Sequence, residues 1–273
     1  MKIVKAILLT LLLILGFSLT QVGLTTLFFK TEFMLESFPN HLGIVNVISY
    51  VMAYLLIFKL FWKPKSNIKE GLNFTNFEMK FLPYLVFIAI GLQLLDRPFW
   101  HLIPDWNYIS DLSLGTGKNS FNGFDSFYFY NALSTLIIAP IFEELFFRKF
   151  LLSKLLQKNN QKIGILVSSL CFAIIHIETP SNLIPTFIFG IISSLIFIKT
   201  KSITYSIILH FLFNLLIQIL FVTNLSINEW FLDLKFNFMY WILFLIGIGI
   251  TYFATKKLLA TKPINNTGFG LNQ

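Results

Sequence analysis

The chain has 273 residues, of which 56% are hydrophobic and only 12% charged, and its mean hydropathy is +0.74. A soluble chain carries roughly twice that charged fraction, so a water-soluble domain is excluded, and the same numbers exclude disorder. The net charge of +8 comes mostly from lysines scattered between apolar runs, which is the pattern of cytoplasmic loops rather than of a nucleic-acid-binding stripe.

A membrane span needs about 20 mainly apolar residues. In chain order the candidates are 4–29, 42–62, 81–104, 127–152, 163–179, 183–199, 203–223 and 237–255, the fifth and sixth being short. The alternation of barrel strands is absent. The expected fold is therefore all-α, a polytopic membrane bundle of about eight transmembrane helices. The first span follows Met1-Lys2-Ile3-Val4-Lys5, with no A-x-A-like site after it, and reads as a retained signal anchor. Residues 1–124 are expected to hold about three N-terminal spans and an external loop, 125–223 a core, and 224–273 the last span and a tail. The single cysteine, Cys171, excludes a disulfide framework and a Cys-based zinc site.

The loops divide by charge. Lys2 and Lys5 precede the first span, Lys59, Lys63, Lys65 and Lys69 follow the second, and Lys149, Lys154, Lys158 and Lys162 follow the fourth. Lys199 and Lys201 follow the sixth, and Lys256, Lys257 and Lys262 the eighth. The alternate boundaries hold Glu32, Glu36, Asp105, Asp111, Asp125, Glu178, Glu229 and Asp233. A multi-pass protein of the cell membrane with both termini in the cytoplasm accounts for this. Gly117-Lys118, in the external loop Ser113–Phe124, is not a P-loop, because position 112 is Leu and 119 is Asn. The tail Pro263–Gln273 reads as disordered.

Ionisable residues at membrane depth are costly and point to function. The fourth span holds Glu143, Glu144 and Arg148, the fifth His176, the seventh His210 and Asn214, and the third Asp96 and Arg97. Glu144–Arg148, Phe172–His176 and His210–Asn214 are each spaced i, i+4 and share a helix face. At 1.5 Å per residue Glu143 lies about 16 Å from Lys154, His210 about 14 Å from Lys201, and His176 about 21 Å from Lys162. The three meet in one plane if the fifth span is tilted or starts deeper, and only if Arg148 is buried and paired with Glu144. Pro140 is expected to kink the fourth span and admit water beside the carboxylates.

The bland readings were weighed beside this one. A Glu–Arg pair is often only structural, and a lone His on an apolar face is usually a core residue. Two His, an Asn and a carboxylate pair on three helices at matching depth read better as a buried polar site. Asp96–Arg97 reads as an interfacial pair with Arg97 snorkelling. His41 and His101 receive no role, Gly190 reads as a close-packing position, and Phe172 as packing beside His176.

Glu143-Glu144-Leu145-Phe146-Phe147-Arg148, Phe172-Ala173-Ile174-Ile175-His176 and His210-Phe211-Leu212-Phe213-Asn214 are E-E-x-x-x-R, F-x-x-x-H and H-x-x-x-N. In this order, over about Leu133 to Gln218, the chain resembles the CAAX protease and bacteriocin-processing (Abi or Rce1-like) family of intramembrane proteases. The resemblance implies an intramembrane endopeptidase acting on membrane-associated or leader-bearing peptides, with peptide substrates and membrane lipids as partners. It implies Glu143 as the base that activates water, and His176, His210 and Asn214 as the groups that hold the water and stabilise the oxyanion. Glu144 and Arg148 would orient them. The cofactor stays open. Zn²⁺ on His176, His210 and Glu143 and a metal-free mechanism both accord with these residues, and the helical H-E-x-x-H motif is absent. The abundance of Ile, Lys, Asn and Phe suggests an AT-rich bacterial genome, which favours secreted-peptide processing over prenylated tails. Two other readings compete. One is a non-catalytic bacteriocin self-immunity or envelope scaffold protein of the same family. The other is a proton-coupled transporter, which would carry an inverted repeat that the sequence does not show.

Overall fold

The computed structural model describes residues 1–29, 38–62, 77–102, 126–223, 230–231 and 233–261. Among them all regular structure is helical. Lipid offers no hydrogen bonds to the backbone, and a helix satisfies its own. The long elements are α1 (Ile3–Phe29), α2 (Phe38–Phe61), α3 (Leu82–Leu95) with the short α4 (Arg97–Leu102), α5 (126–156), α6 (Gln161–Ile174), α7 (Leu183–Thr200), α8 (Ile203–Val222) and α9 (Phe238–Ala260). Eight long helical stretches thus stand where eight spans are expected. Six of the described stretches are long and apolar enough to cross a bilayer, and the protein is a multi-pass membrane protein. Leu8, Leu11, Leu15 and Leu19 of α1 and Leu245, Tyr252 and Phe253 of α9 are exposed, as a lipid-facing surface requires.

The helix that carries the carboxylates is irregular for a local reason. Within α5, Ser134–Ile138 and Leu145–Leu152 are π-helical, on either side of the α-helical turn Ala139–Glu144. Pro140 sits at the start of that turn and has no N–H to donate. The N–H of Ala139 reaches back five residues to the Ser134 carbonyl. In the same register the Thr135 carbonyl would face Pro140 and find no donor. The kink expected at Pro140 thus takes the form of a wider helical register, a device that recurs at functional sites.

Two sequence expectations need correction. The fifth span ends early, since α6 has 14 residues and stops at Ile174, which is about 21 Å of helix. His176 lies in the turn beyond it. Arg97 does not snorkel. It and Asp96 are 7% and 3% exposed, because Gln93, one turn earlier, supplies buried acceptors: Arg97 Nε donates to the Gln93 carbonyl at 2.8 Å and Nη2 to its Oε1 at 2.7 Å. His101 is on α4, with Nδ1 2.9 Å from the Tyr240 hydroxyl. The loop Ser113–Phe124, the tail Pro263–Gln273 and the side chain of His41 lie outside the described residues.

The site lies where α2, α5, α6, α7 and α8 meet. Phe146, Phe147, Phe172, Phe189 and Leu209 are buried around it. Gly190 is the close-packing position expected of it. A methyl group there would come within 3.0 Å of the Ser169 backbone, so α7 lies against α6 with no room for a side chain.

Candidate active site

Glu144 and Arg148 are fully buried, at 0% exposure. Their i, i+4 spacing brings Arg148 Nε to 3.2 Å from Glu144 Oε2, and Ser193 of α7 donates its hydroxyl to the same oxygen at 2.8 Å. The guanidinium carbon stands 4.3 Å from the centre of the Phe172 ring and 5.8 Å from that of Phe189. None of the described residues gives this guanidinium a well-formed hydrogen bond. The charge is therefore held by its carboxylate partner and by two aromatic faces.

His210 of α8 lies between the two carboxylates. Its Nδ1 is 3.1 Å from Glu144 Oε1 and its Nε2 is 3.9 Å from Glu143 Oε2. A carboxylate oxygen accepts, so Nδ1 carries a proton and Nε2 is the ring atom turned towards Glu143. Rings of Phe189 and Phe172 pack against this imidazole at 5.0 and 5.9 Å. Glu143 is 4% exposed. Its Oε1 accepts a hydrogen bond from the hydroxyl of Tyr50 on α2, and its Oε2 has no hydrogen-bond partner among the described residues.

The other two expected residues are attached differently. His176 Nδ1 is 3.0 Å from the Phe172 carbonyl, which can only accept, so this ring also presents Nε2. Its contact with the cluster is the Phe172 ring, 5.2 Å away. Asn214 donates its side-chain amide to the Thr135 carbonyl at 2.7 Å, the carbonyl that Pro140 leaves without a helical donor. Gln218, one further step of four along α8, donates to the Thr135 hydroxyl at 3.1 Å. Glu143, Glu144, Arg148 and His210 are therefore gathered into one cluster, while His176 and Asn214 flank it.

The donor set was tested for a metal. Among the described residues no group of three His, Cys, Asp or Glu side chains is placed to hold a metal ion. His176, His210 and Glu143 as they stand do not fit a three-ligand zinc centre.

Tyr50, Ser193, Thr135 and Gln218 escape a reading of motifs. Gln218 continues the His210–Asn214 spacing and could have been found by it. Tyr50 and Ser193 lie in apolar spans with no local signal.

Residues 125–216 match the family described as type II CAAX prenyl endopeptidase Rce1-like. An uncharacterised protein of Mycoplasma capricolum subsp. capricolum is 28% identical over 202 residues, which cover 68% of this chain and 58% of that protein. The chain thus spans less than two thirds of that relative. No solved structure matches. All three motifs and the four-residue polar cluster fall inside the matched stretch, and it is over residues 125–216 that this membrane protein is similar to the Rce1-like group of the CAAX protease and bacteriocin-processing family.

Proposed function

We propose that the chain is an intramembrane endopeptidase that hydrolyses peptide bonds of membrane-associated or leader-bearing peptides with water activated by Glu143. The observation that supports this best is the 3.9 Å between Glu143 Oε2 and His210 Nε2. That distance is too long for a direct hydrogen bond and suits one oxygen reached by both groups. Glu143 takes a proton from the water held there. The hydroxide bonds to the carbonyl carbon, and negative charge moves to the carbonyl oxygen. Glu143 then returns the proton to the amide nitrogen as the C–N bond breaks, releasing a carboxylic acid, which passes its remaining proton to the amine or to water, and an amine. Glu144 fixes the tautomer of His210, and Arg148 and Ser193 fix Glu144. The second N–H of the Asn214 amide is the proposed donor to the oxyanion, joined by His176 when its Nε2 also carries a proton. With basic loops inside, both termini face the cytoplasm of a bacterial cell.

A second reading has its own support. Asn214 and His176 each use a donor on a neighbouring backbone carbonyl, as they would in a non-catalytic immunity or scaffold protein that retains the motif. Comparative peptidomics of membranes from wild-type and Glu143→Ala cells separates the two. The endopeptidase reading predicts peptides that accumulate uncleaved in the variant at equal protein level. Identical peptidomes would leave the scaffold reading.

A further inference from the structure

We infer that Tyr50, on a helix outside the family-matched residues, is a positioning residue for the proposed base Glu143. This rests on the endopeptidase reading and adds to it a part of the machinery that lies beyond residues 125–216. The hydroxyl of Tyr50 donates to Glu143 Oε1, and the other oxygen, Oε2, faces His210 Nε2. The last torsion of a glutamate is broad. A carboxylate without a fixed donor on one oxygen has no reason to keep the other aimed at a water. Tyr50 supplies that donor from across the helix–helix boundary.

The rest of α2 is built to hold it there. Tyr50, Tyr54, Phe58 and Trp62 recur every four residues on one face of α2. Tyr54 packs on Phe142 and Phe146 of α5 at 5.7 and 5.9 Å. Phe58 stacks on Phe142 at 6.3 Å, and Trp62 meets Phe150 at 5.8 Å. At the other end Gly43 lies so close to Tyr130 that an added methyl group would be 2.9 Å from its Cβ. Tyr50 itself is held by Tyr54 at 4.9 Å and by Phe17 of α1 at 6.1 Å. The ladder sets the height of α2 against α5 and hence the meeting of one hydroxyl with one carboxylate.

The test uses the full chain in lipid nanodiscs. The substrate is a synthetic peptide spanning a cleavage site that Glu143→Ala membranes fail to process. Tyr50→Phe keeps the ring and removes only the donor. Its kcat is expected to fall about ten- to a hundredfold, as for a sub-ångström misplacement of a reacting group, with KM within about twofold and an unchanged unfolding temperature. Tyr240→Phe removes a buried tyrosine hydroxyl elsewhere, on α9 against His101, and should lower the unfolding temperature while leaving kcat unchanged. Wild-type kcat in Tyr50→Phe overturns the inference, and so does a loss confined to KM or an equal loss of kcat in Tyr240→Phe. If Glu143→Ala is inactive and Tyr50→Phe is not, this inference fails alone. If Glu143→Ala is fully active, the endopeptidase reading fails and takes this one with it.

Discussion

Asn214 and Thr135 are joined by a hydrogen bond of 2.7 Å from a side-chain amide to a backbone carbonyl, and Pro140 is the reason that the carbonyl is available. A proline within a helix removes one donor, and in lipid the orphaned acceptor must be satisfied by a neighbour. Asn214 is that neighbour, so the third motif helps hold α8 against α5 whatever else it does.

The coupling is measurable. Thr135 is half-buried, so Asn214→Ala should cost about 0.5–1.5 kcal/mol, the usual net worth of one hydrogen bond. In a Pro140→Ala background the restored N–H can serve Thr135, and the cost of Asn214→Ala should shrink. A double-mutant cycle of unfolding in mixed micelles would give a clear interaction term. Additive losses would show that the two residues act separately.

Arg148 is the most exacting residue of the cluster. Arg148→Ala leaves Glu144 buried at zero exposure without its counter-charge, with Ser193 and His210 as its remaining partners, and a broken buried pair costs about 3–5 kcal/mol. Arg148→Lys keeps the charge but loses the planar group that lies over Phe172, so it should recover only part of the loss. Unfolding temperatures of the purified variants check both. A lysine variant as stable as the wild type would contradict the stacking role.

Metal dependence is the third point. The described donors do not form a three-ligand site, and a glutamate that activates water unaided needs none. Activity is therefore expected to survive exhaustive chelation, with no stoichiometric zinc by elemental analysis. Loss on chelation and recovery with added zinc would mean that His176 moves to join His210 and Glu143.

The spans were legible because twenty apolar residues in a row have one use in a chain this poor in charge. The cluster was legible in part for the same kind of reason: an arginine inside an apolar span must find a carboxylate, and Glu144 is four residues away. Four features were not. The π register around Pro140 leaves no periodic trace, so Asn214 read only as a site residue and not as the partner of an orphaned carbonyl. The F-x-x-x-H spacing suggested one helix face, yet α6 ends two residues before His176, and the ring folds back onto the Phe172 carbonyl. Asp96–Arg97 looked interfacial from its place at a span end. Gln93, one turn earlier, makes burial affordable, and nothing local announced that it would. Tyr50 lies 93 residues from Glu143, a distance that no spacing rule crosses.

The most direct test of the central claim is hydrolysis in ¹⁸O-labelled water. Purified protein in nanodiscs is mixed with a peptide that accumulates in Glu143→Ala membranes, and the products are read by mass spectrometry. Water-dependent cleavage predicts one ¹⁸O atom in the new C-terminal carboxylate with the wild type and no product with Glu143→Ala at equal folding. Labelled product at the wild-type rate from Glu143→Ala would contradict the assignment of Glu143 as the base.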